Sequence, residues 1–294
     1  MDHNAAPPSN PTRLGALLRL MRPQQWVKNG FVLAPLMFTG SFFDPVAVRH
    51  ALTAVFLFCL ASSITYIVND LLDIERDRQH PVKRTSRPLA AGWISTREAL
   101  SLAALLGTLI FAVGPLLPRT LSVIGVYLLL NVAYSTVLKH QPVIDIFTIA
   151  LGFVLRIYAG AFALQVPVSS WMAITTLCLA LYLAAVKRKQ ELSAVGTEGR
   201  EVLKAYSVQL TERYAEMSAT GALMFYSLFV LTNRPGLVIT IPLVLFGLFR
   251  YWYVVDRLEG GESPTDVLLS DRPLAFTVIA WVGACAWALR PGGA

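Results

Sequence analysis

Residues 69–77, NDLLDIERD, place Asn69, Asp70, Asp73 and Asp77 at i, i+1, i+4 and i+8. On a continuing helix Asp70, Asp73 and Asp77 fall on one stripe about two turns long. Carboxylates on one stripe repel one another, by only tenths of a kcal/mol per pair in water, but at the mouth of a membrane bundle they demand a compensating cation. Oxygen donors at this spacing suit Mg²⁺, a hard ion that takes a few carboxylates and shares its other positions with substrate phosphates. Arg76, Arg78, Lys83, Arg84 and Arg87 lie within or just after the motif, where an anion held through a metal would need them. The plainer reading is a solvated helix end whose acids pair with those bases. Against it, the Asn69-Asp70 pair abuts a long apolar run with no spacer, and ionisable groups buried in membrane bundles mark function by default.

Further polar groups are candidates for the same cavity. Tyr66 precedes the motif on the same span; Tyr134, Ser135 and Lys139 stand in YSTVLK; Asp145 opens the next apolar run; Lys187, Arg188 and Glu191 stand in KRKQEL; and Arg22, Gln25, Lys28 and Asn29 stand in RPQQWVKN. Individually they have bland explanations: an interface aromatic at Tyr134, a snorkelling lysine at 139, an i,i+4 pair between Lys187 and Glu191. Arg156 is harder to dismiss. An arginine in mid-span costs roughly 2.5–3.5 kcal/mol on insertion scales, so it must face the interior and meet an anion or carbonyls. Cys59, Cys178 and Cys285 are isolated within apolar runs, and the four histidines show no zinc spacing.

The elements that must position these residues are membrane helices. Of 294 residues, 55% are hydrophobic and only 15% charged, too apolar for a soluble domain of this length. Apolar runs near 28–44, 47–68, 97–117, 119–138, 142–164, 169–186, 208–232, 237–255 and 273–290 give about nine spans. Their apolar character is continuous rather than alternating, which predicts an all-α helical bundle and excludes a barrel. Residues 1–12 read as a disordered tail and 13–294 as a single transmembrane domain, with polar loops near 69–96, 187–207 and 256–272. The stretch RLGALLRLMRPQQWVKNG reads as an interfacial amphipathic helix with Leu14, Leu17, Leu18 and Met21 on its apolar side. Net charge is +7, and apart from Arg156 the basic residues gather in the N-terminal segment and the even-numbered connections, with only Arg49, Arg119, Arg234 and Arg290 opposite. That bias predicts a cytoplasmic N-terminus and a site facing the cytoplasm.

With the motif in view, the sequence resembles the UbiA superfamily of intramembrane prenyltransferases, whose members carry N-D-x-x-D-x-x-x-D after the second of nine helices. Asn69, Asp70, Asp73 and Asp77 match every fixed position. Most of that superfamily has a second aspartate-rich motif after helix six, where this chain has VKRKQEL. RPQQWVKN, NDLLDIERDRQHPVKRTSRPLAAG, YSTVLKH, KRKQEL and GESPTDVLLSDR resemble instead the phosphoribosyl branch, the decaprenyl-phosphate phosphoribosyltransferases. The resemblance implies transfer of 5-phosphoribose from phosphoribosyl diphosphate (PRPP) to a polyprenyl phosphate in a bacterial cytoplasmic membrane, serving arabinan precursor synthesis. It implies Mg²⁺ on Asn69, Asp70, Asp73 and Asp77, phosphate held by such cations as Lys28, Lys83, Arg87, Lys139, Lys187 and Arg188, and no nucleic-acid partner; it leaves room for a homo-oligomer. The rival readings are prenyl transfer to an aromatic or other acceptor and, in another class, an ion-coupled transporter.

Overall fold

A computed structural model describes residues 11–80, 82–195, 201–257, 267 and 270–290 of the chain. The tail at 1–10 and most of the 256–272 loop lie outside the described residues, as does the centre of the 187–207 loop. Among the described residues the regular structure is helical throughout.

α1 (Arg13–Met21) starts at Thr12, whose hydroxyl accepts the Gly15 N–H at 3.2 Å, so Thr12 is a helix cap rather than part of a tail. α1 buries Ala16 and Leu20 against the bundle and leaves Leu14 and Leu18, two residues of the expected apolar side, exposed. It stops at Arg22, which is left-handed (φ 53°), and Pro23 opens a 3₁₀ segment, Pro23–Leu33. The single interfacial helix expected through Gly30 is therefore broken. α2 (Ala34–Thr39) follows, closed by Gly40 at φ 74°. A Cβ there would lie 2.9 Å from the Leu289 carbonyl oxygen, so both conformation and space require glycine. The expected first span is thus 3₁₀ segment plus short helix, because Pro23, Pro35 and Gly40 each interrupt an α-helix.

α3 (Pro45–Leu72) is capped by Asp44, whose carboxylate accepts the Val46 N–H at 2.9 Å. α4 (Ile74–Gln79) and α5 (Lys83–Ser86) are short. α6 (Thr96–Val113) begins with a capping box in which Ser95 and Glu98 satisfy each other's backbone N–H. There follow α7 (Pro118–Thr136), α8 (Ile144–Ala163), α9 (Ser170–Val195), α10 (Val208–Asn233), α11 (Ile241–Arg257) and α12 (Arg272–Ala288). Six stretches are long and apolar enough to cross a membrane: Pro45–Leu72, Thr96–Leu116, Ile144–Ala163, Ser170–Ser193, Val208–Asn233 and Pro235–Arg257. α7 and the shorter α12 occupy two more of the expected spans.

α1, α3, α6, α7 and α8 share one apolar core, built around Leu57, Phe58, Leu106, Ile124 and Ala159. α9, α10, α11 and α12 share another. The halves join where α8 packs on α9 through Ala150, Ala180 and Ala184, small residues that let membrane helices approach closely. Outward-facing Phe111, Leu129, Phe249 and Phe276 are largely exposed. That costs nothing in lipid, where the backbone is satisfied inside each helix.

Candidate active site

The acid motif sits where α3 gives way to α4. α3 carries Tyr66, Asn69 and Asp70 in its final turns and ends at Leu72; Asp73 caps it (φ −100°, ψ 9°), and Asp77 follows on α4. Hydrogen bonds from Asp73 N–H to the Asn69 carbonyl and from Asp77 N–H to the Asp73 carbonyl, 3.0 and 2.8 Å, carry the chain through the bend. The continuous stripe expected for these acids is therefore bent at Asp73. Asp70 and Asp77 are buried and Asp73 partly so.

Among the described residues, four cations meet the three acids. Arg22 and the Arg87 guanidinium, the latter at 2.9 Å, both donate to Oδ1 of Asp70. Lys139 Nζ is 3.0 Å from Asp73 Oδ1, and Lys83 Nζ is 3.5 Å from Asp77 Oδ1. The residues come from four places: the left-handed junction after α1, the α5 turn that folds back over α4, the end of that turn, and the 3₁₀ turn Leu138–His140 after α7. Arg22 also lies over the Tyr66 ring, 4.9 Å from its centroid. Ser135 donates to the Asn69 side-chain oxygen at 3.3 Å.

One oxygen stands apart. Oδ2 of Asp70 is buried with no hydrogen-bond partner, a condition that costs free energy unless a ligand meets it. Among the described residues no three His, Cys, Asp or Glu side chains converge into a ready ligand set. Mg²⁺ does not require one, since it commonly takes one or two carboxylates and fills its octahedron with water and substrate phosphate. An orphaned carboxylate oxygen among further oxygen donors from Asn69, Asp73 and Asp77 fits such an ion.

A second polar cluster adjoins the first. Arg188, 1% exposed, donates from Nε to Asp145 Oδ2 at 2.8 Å, from Nη1 to Glu191, and from Nη2 to the Tyr134 hydroxyl at 3.4 Å. Asp145 is itself fully buried, and its other oxygen accepts a 2.6 Å bond from the Tyr206 hydroxyl, which in turn accepts the Val143 N–H at 2.7 Å. Val143 has φ 68°, strained for a β-branched residue, and Tyr206 holds it there. Burial, and then the bond to Asp145, push the Tyr206 phenol above its usual range, so it remains a donor. Asp145 and Arg188 thus brace α8 against α9, with Glu191 holding Arg188 from within α9, while Lys187 and Lys28 are half-buried on α9 and the 3₁₀ segment. Gln25, also half-buried, starts that segment's turn with an N–H bond to the Arg22 carbonyl at 2.9 Å.

Arg156 faces the interior, as its cost in a membrane requires, and meets neutral groups. Nε donates to Asn29 Oδ1 at 2.9 Å, Nη1 to the Gly152 carbonyl at 2.8 Å and Nη2 to the Tyr127 hydroxyl at 3.3 Å, with Phe58, Tyr127 and Phe153 rings 5.0–5.2 Å away. Asn29 is fully buried and donates to Cys59 and Ser62 on α3. Arg156 and Asn29 are therefore brought to each other. Tyr206, Tyr127 and Gly160 were not anticipated from sequence, because nothing in their spacing distinguishes them from core or interface residues.

An apolar helical bundle of this kind, with acids and bases gathered in one layer, is an integral membrane protein, and the chain belongs to the UbiA prenyltransferase family, whose model matches residues 30–267. The chain is 33% identical to the decaprenyl-phosphate phosphoribosyltransferase of Mycolicibacterium smegmatis over 96% of both proteins. It is 34% identical to the Mycobacterium tuberculosis protein of the same name over 97% of both. In fold it matches a UbiA homolog from Archaeoglobus fulgidus, solved bound to GPP and Mg²⁺, with a TM-score of 0.72 at 18% identity, covering 93% of this chain and 99% of that one.

Proposed function

We propose that this protein transfers the 5-phosphoribosyl group of PRPP to a polyprenyl phosphate, releasing diphosphate. The observation that carries this reading is the layer in which Asp70, Asp73 and Asp77 stand among Arg22, Lys83, Arg87 and Lys139, with bases in KRKQEL where a second acid motif would serve a prenyl diphosphate. Relatives named for phosphoribosyl transfer to decaprenyl phosphate, similar along nearly the whole chain, support the same chemistry.

Asp70, Asp73 and Asp77, with Asn69, would hold Mg²⁺, which when bound draws charge from a departing diphosphate. The C1–O bond to diphosphate breaks and a lipid phosphate oxygen forms the new C1–O bond from the opposite face. That oxygen is already anionic near neutral pH, so no general base is required, and orientation with electrostatic stabilisation supplies the rate. Lys28, Lys83, Arg87, Lys139 and Lys187 would orient the phosphates, with Arg22, Gln25, Tyr66 and Tyr134 completing the substrate-binding set. Arg156, Asn29, Asp145, Arg188 and Glu191 hold the elements that carry these groups. The basic bias of the connections supports a bacterial inner-membrane protein with its N-terminus and this layer on the cytoplasmic side. The product, a lipid-linked phosphopentose, suits the early steps of cell-envelope arabinan synthesis.

The test supplies purified protein in lipid with Mg²⁺, polyprenyl phosphate and PRPP labelled in the ribose. Label is expected in the lipid fraction as phosphoribosyl lipid. Folded protein that makes none, or that instead releases diphosphate from an isoprenyl diphosphate in the presence of an aromatic acceptor, overturns the assignment.

A further inference from the structure

Among the described ion pairs of the acid layer, cations outnumber carboxylates. In those pairs three carboxylates (Asp70, Asp73, Asp77) face four cations (Arg22, Arg87, Lys139, Lys83), one more positive than negative charge. Each acid has one oxygen taken by a cation, and both guanidinium groups crowd the same oxygen of Asp70. A bare divalent metal would add two more positive charges to a partly desolvated site, where charges interact more strongly than in water. A diphosphate arriving with the metal reverses the balance, because its oxygens offer the four cations new partners as the carboxylates are given up. The buried, unpartnered Oδ2 of Asp70 marks where the layer remains incomplete.

We infer that Arg22, Arg87, Lys139 and Lys83 are internal counter-cations of the acid motif that hold its affinity for free metal low, so that metal and diphosphate substrate bind as a coupled pair. This rests on the proposed reading of the motif as a metal and diphosphate site. It assigns the four side chains two successive partners, carboxylates in the free protein and phosphates in the complex. Coupling of this kind is reciprocal, so the metal must tighten the diphosphate substrate as much as the substrate tightens the metal. The arrangement also keeps the empty protein from holding a divalent ion in a geometry unsuited to the substrate.

The experiment titrates the full-length, substrate-free protein in nanodiscs with Mn²⁺ alone, following the free ion by electron paramagnetic resonance. Removing one competing charge should tighten metal binding, so Lys139→Gln is expected to bind Mn²⁺ up to about fivefold more tightly than the unaltered protein while its KM for PRPP rises. Lys139→Arg, which keeps the charge, should leave Mn²⁺ affinity unchanged. Lys83→Gln, altering a more exposed side chain beside Asp77, repeats the test should Lys139→Gln not fold. Equal or weaker Mn²⁺ binding by the charge-removed variants overturns the inference. Because this titration needs no turnover, such a result would leave the transferase reading standing, whereas a missing lipid product alongside tightened metal binding would reject that reading alone.

Discussion

Gly160 tests whether the broken first span is positioned as the site requires. A Cβ at Gly160 would lie 1.9 Å from the Val32 carbonyl oxygen, 2.9 Å from the Val32 carbonyl carbon and 3.3 Å from Pro35 Cδ. A relaxed C···O contact is about 3.3 Å, so in Gly160→Ala the 3₁₀ segment must retreat from α8 by roughly 1.4 Å. Both obstructing Val32 atoms are backbone, so no rotamer change relieves the clash. Asn29 lies three residues before Val32 on that segment, and its partner Arg156 lies four before Gly160 on α8. The retreat therefore pulls Asn29 Oδ1 beyond hydrogen-bonding reach of Arg156 Nε.

Overpacking costs about 1–3 kcal/mol, and loss of a hydrogen bond to a charged group adds about 1.5–3 kcal/mol. A destabilisation of about 3 kcal/mol is expected in equilibrium unfolding in mixed micelles. The same segment begins beside Arg22, which holds Asp70, and a misplacement of about 1 Å at such a site can cost about 100-fold in rate. Gly107→Ala on α6, where an added Cβ meets nothing within 4 Å, is the control and should be neutral or stabilising by up to about 1 kcal/mol. Gly160→Ala protein that unfolds within about 0.5 kcal/mol of the unaltered chain and turns over normally would refute the reasoning.

Asp73→Asn and Asp77→Asn should each lower kcat/KM for PRPP by about 100-fold or more while the protein stays folded; near-normal turnover at saturating Mg²⁺ would show that the motif is not the metal site. Tyr206→Phe leaves the Val143 N–H and one oxygen of Asp145 without their partner and should cost about 2 kcal/mol of stability, read by thermal or denaturant unfolding, with no change counting against the brace. Asp271, outside the spans, caps α12 and takes a two-pronged bond from Arg250 at 3.1 and 2.8 Å, which holds its pKa below the usual carboxylate value. A depressed folded pKa stabilises above the unfolded value of about 4 and is lost as pH falls below it. The melting temperature should therefore fall more steeply below pH ~4 for the unaltered protein than for Asp271→Asn, and parallel curves would argue against this pairing.

Charge and hydropathy made the main elements of the fold legible, since long apolar runs can be satisfied in lipid only as helices. The acid motif was legible too, because Asn69, Asp70, Asp73 and Asp77 sit beside an apolar run in a pattern that ordinary surface charge does not need. What spacing could not reveal was who answers whom. Lys139 and Arg22 reach Asp73 and Asp70 across 66 and 48 residues of chain, contacts fixed by how the helices pack. The bend at Asp73 was missed because a local pattern of acids does not say where a helix ends. The break at Arg22 and Pro23 is hidden because the amphipathic pattern of residues 13–30 runs through it, and the 3₁₀ form of the first expected span because the apolar content of residues 28–44 stays high through a segment that is not one helix. Gly160 was invisible for a simpler reason: a glycine in a membrane helix is common, and only the approach of Val32 shows why this one cannot carry a side chain.

Arg156 and the acid layer resolve buried charge in opposite ways. Arg156 lies eleven residues beyond Asp145 on α8, about 16 Å deeper at 1.5 Å per residue. Among the described contacts three of its N–H groups are spent on an amide oxygen, a carbonyl and a phenol, and three aromatic rings surround its plane. Dipoles and ring faces offset its desolvation without an acid, so the charge stays put whatever enters from the polar end. A carboxylate in place of Asn29 would bind it more strongly, yet would leave nothing to distinguish this fixed cation from the exchangeable ones above. The acids and bases near Asp70 are instead matched to each other imperfectly, with one oxygen doubly served and its neighbour unserved. A fold that pins its broken first span with a neutral lock can leave its ion pairs unsettled where a charged substrate must displace them.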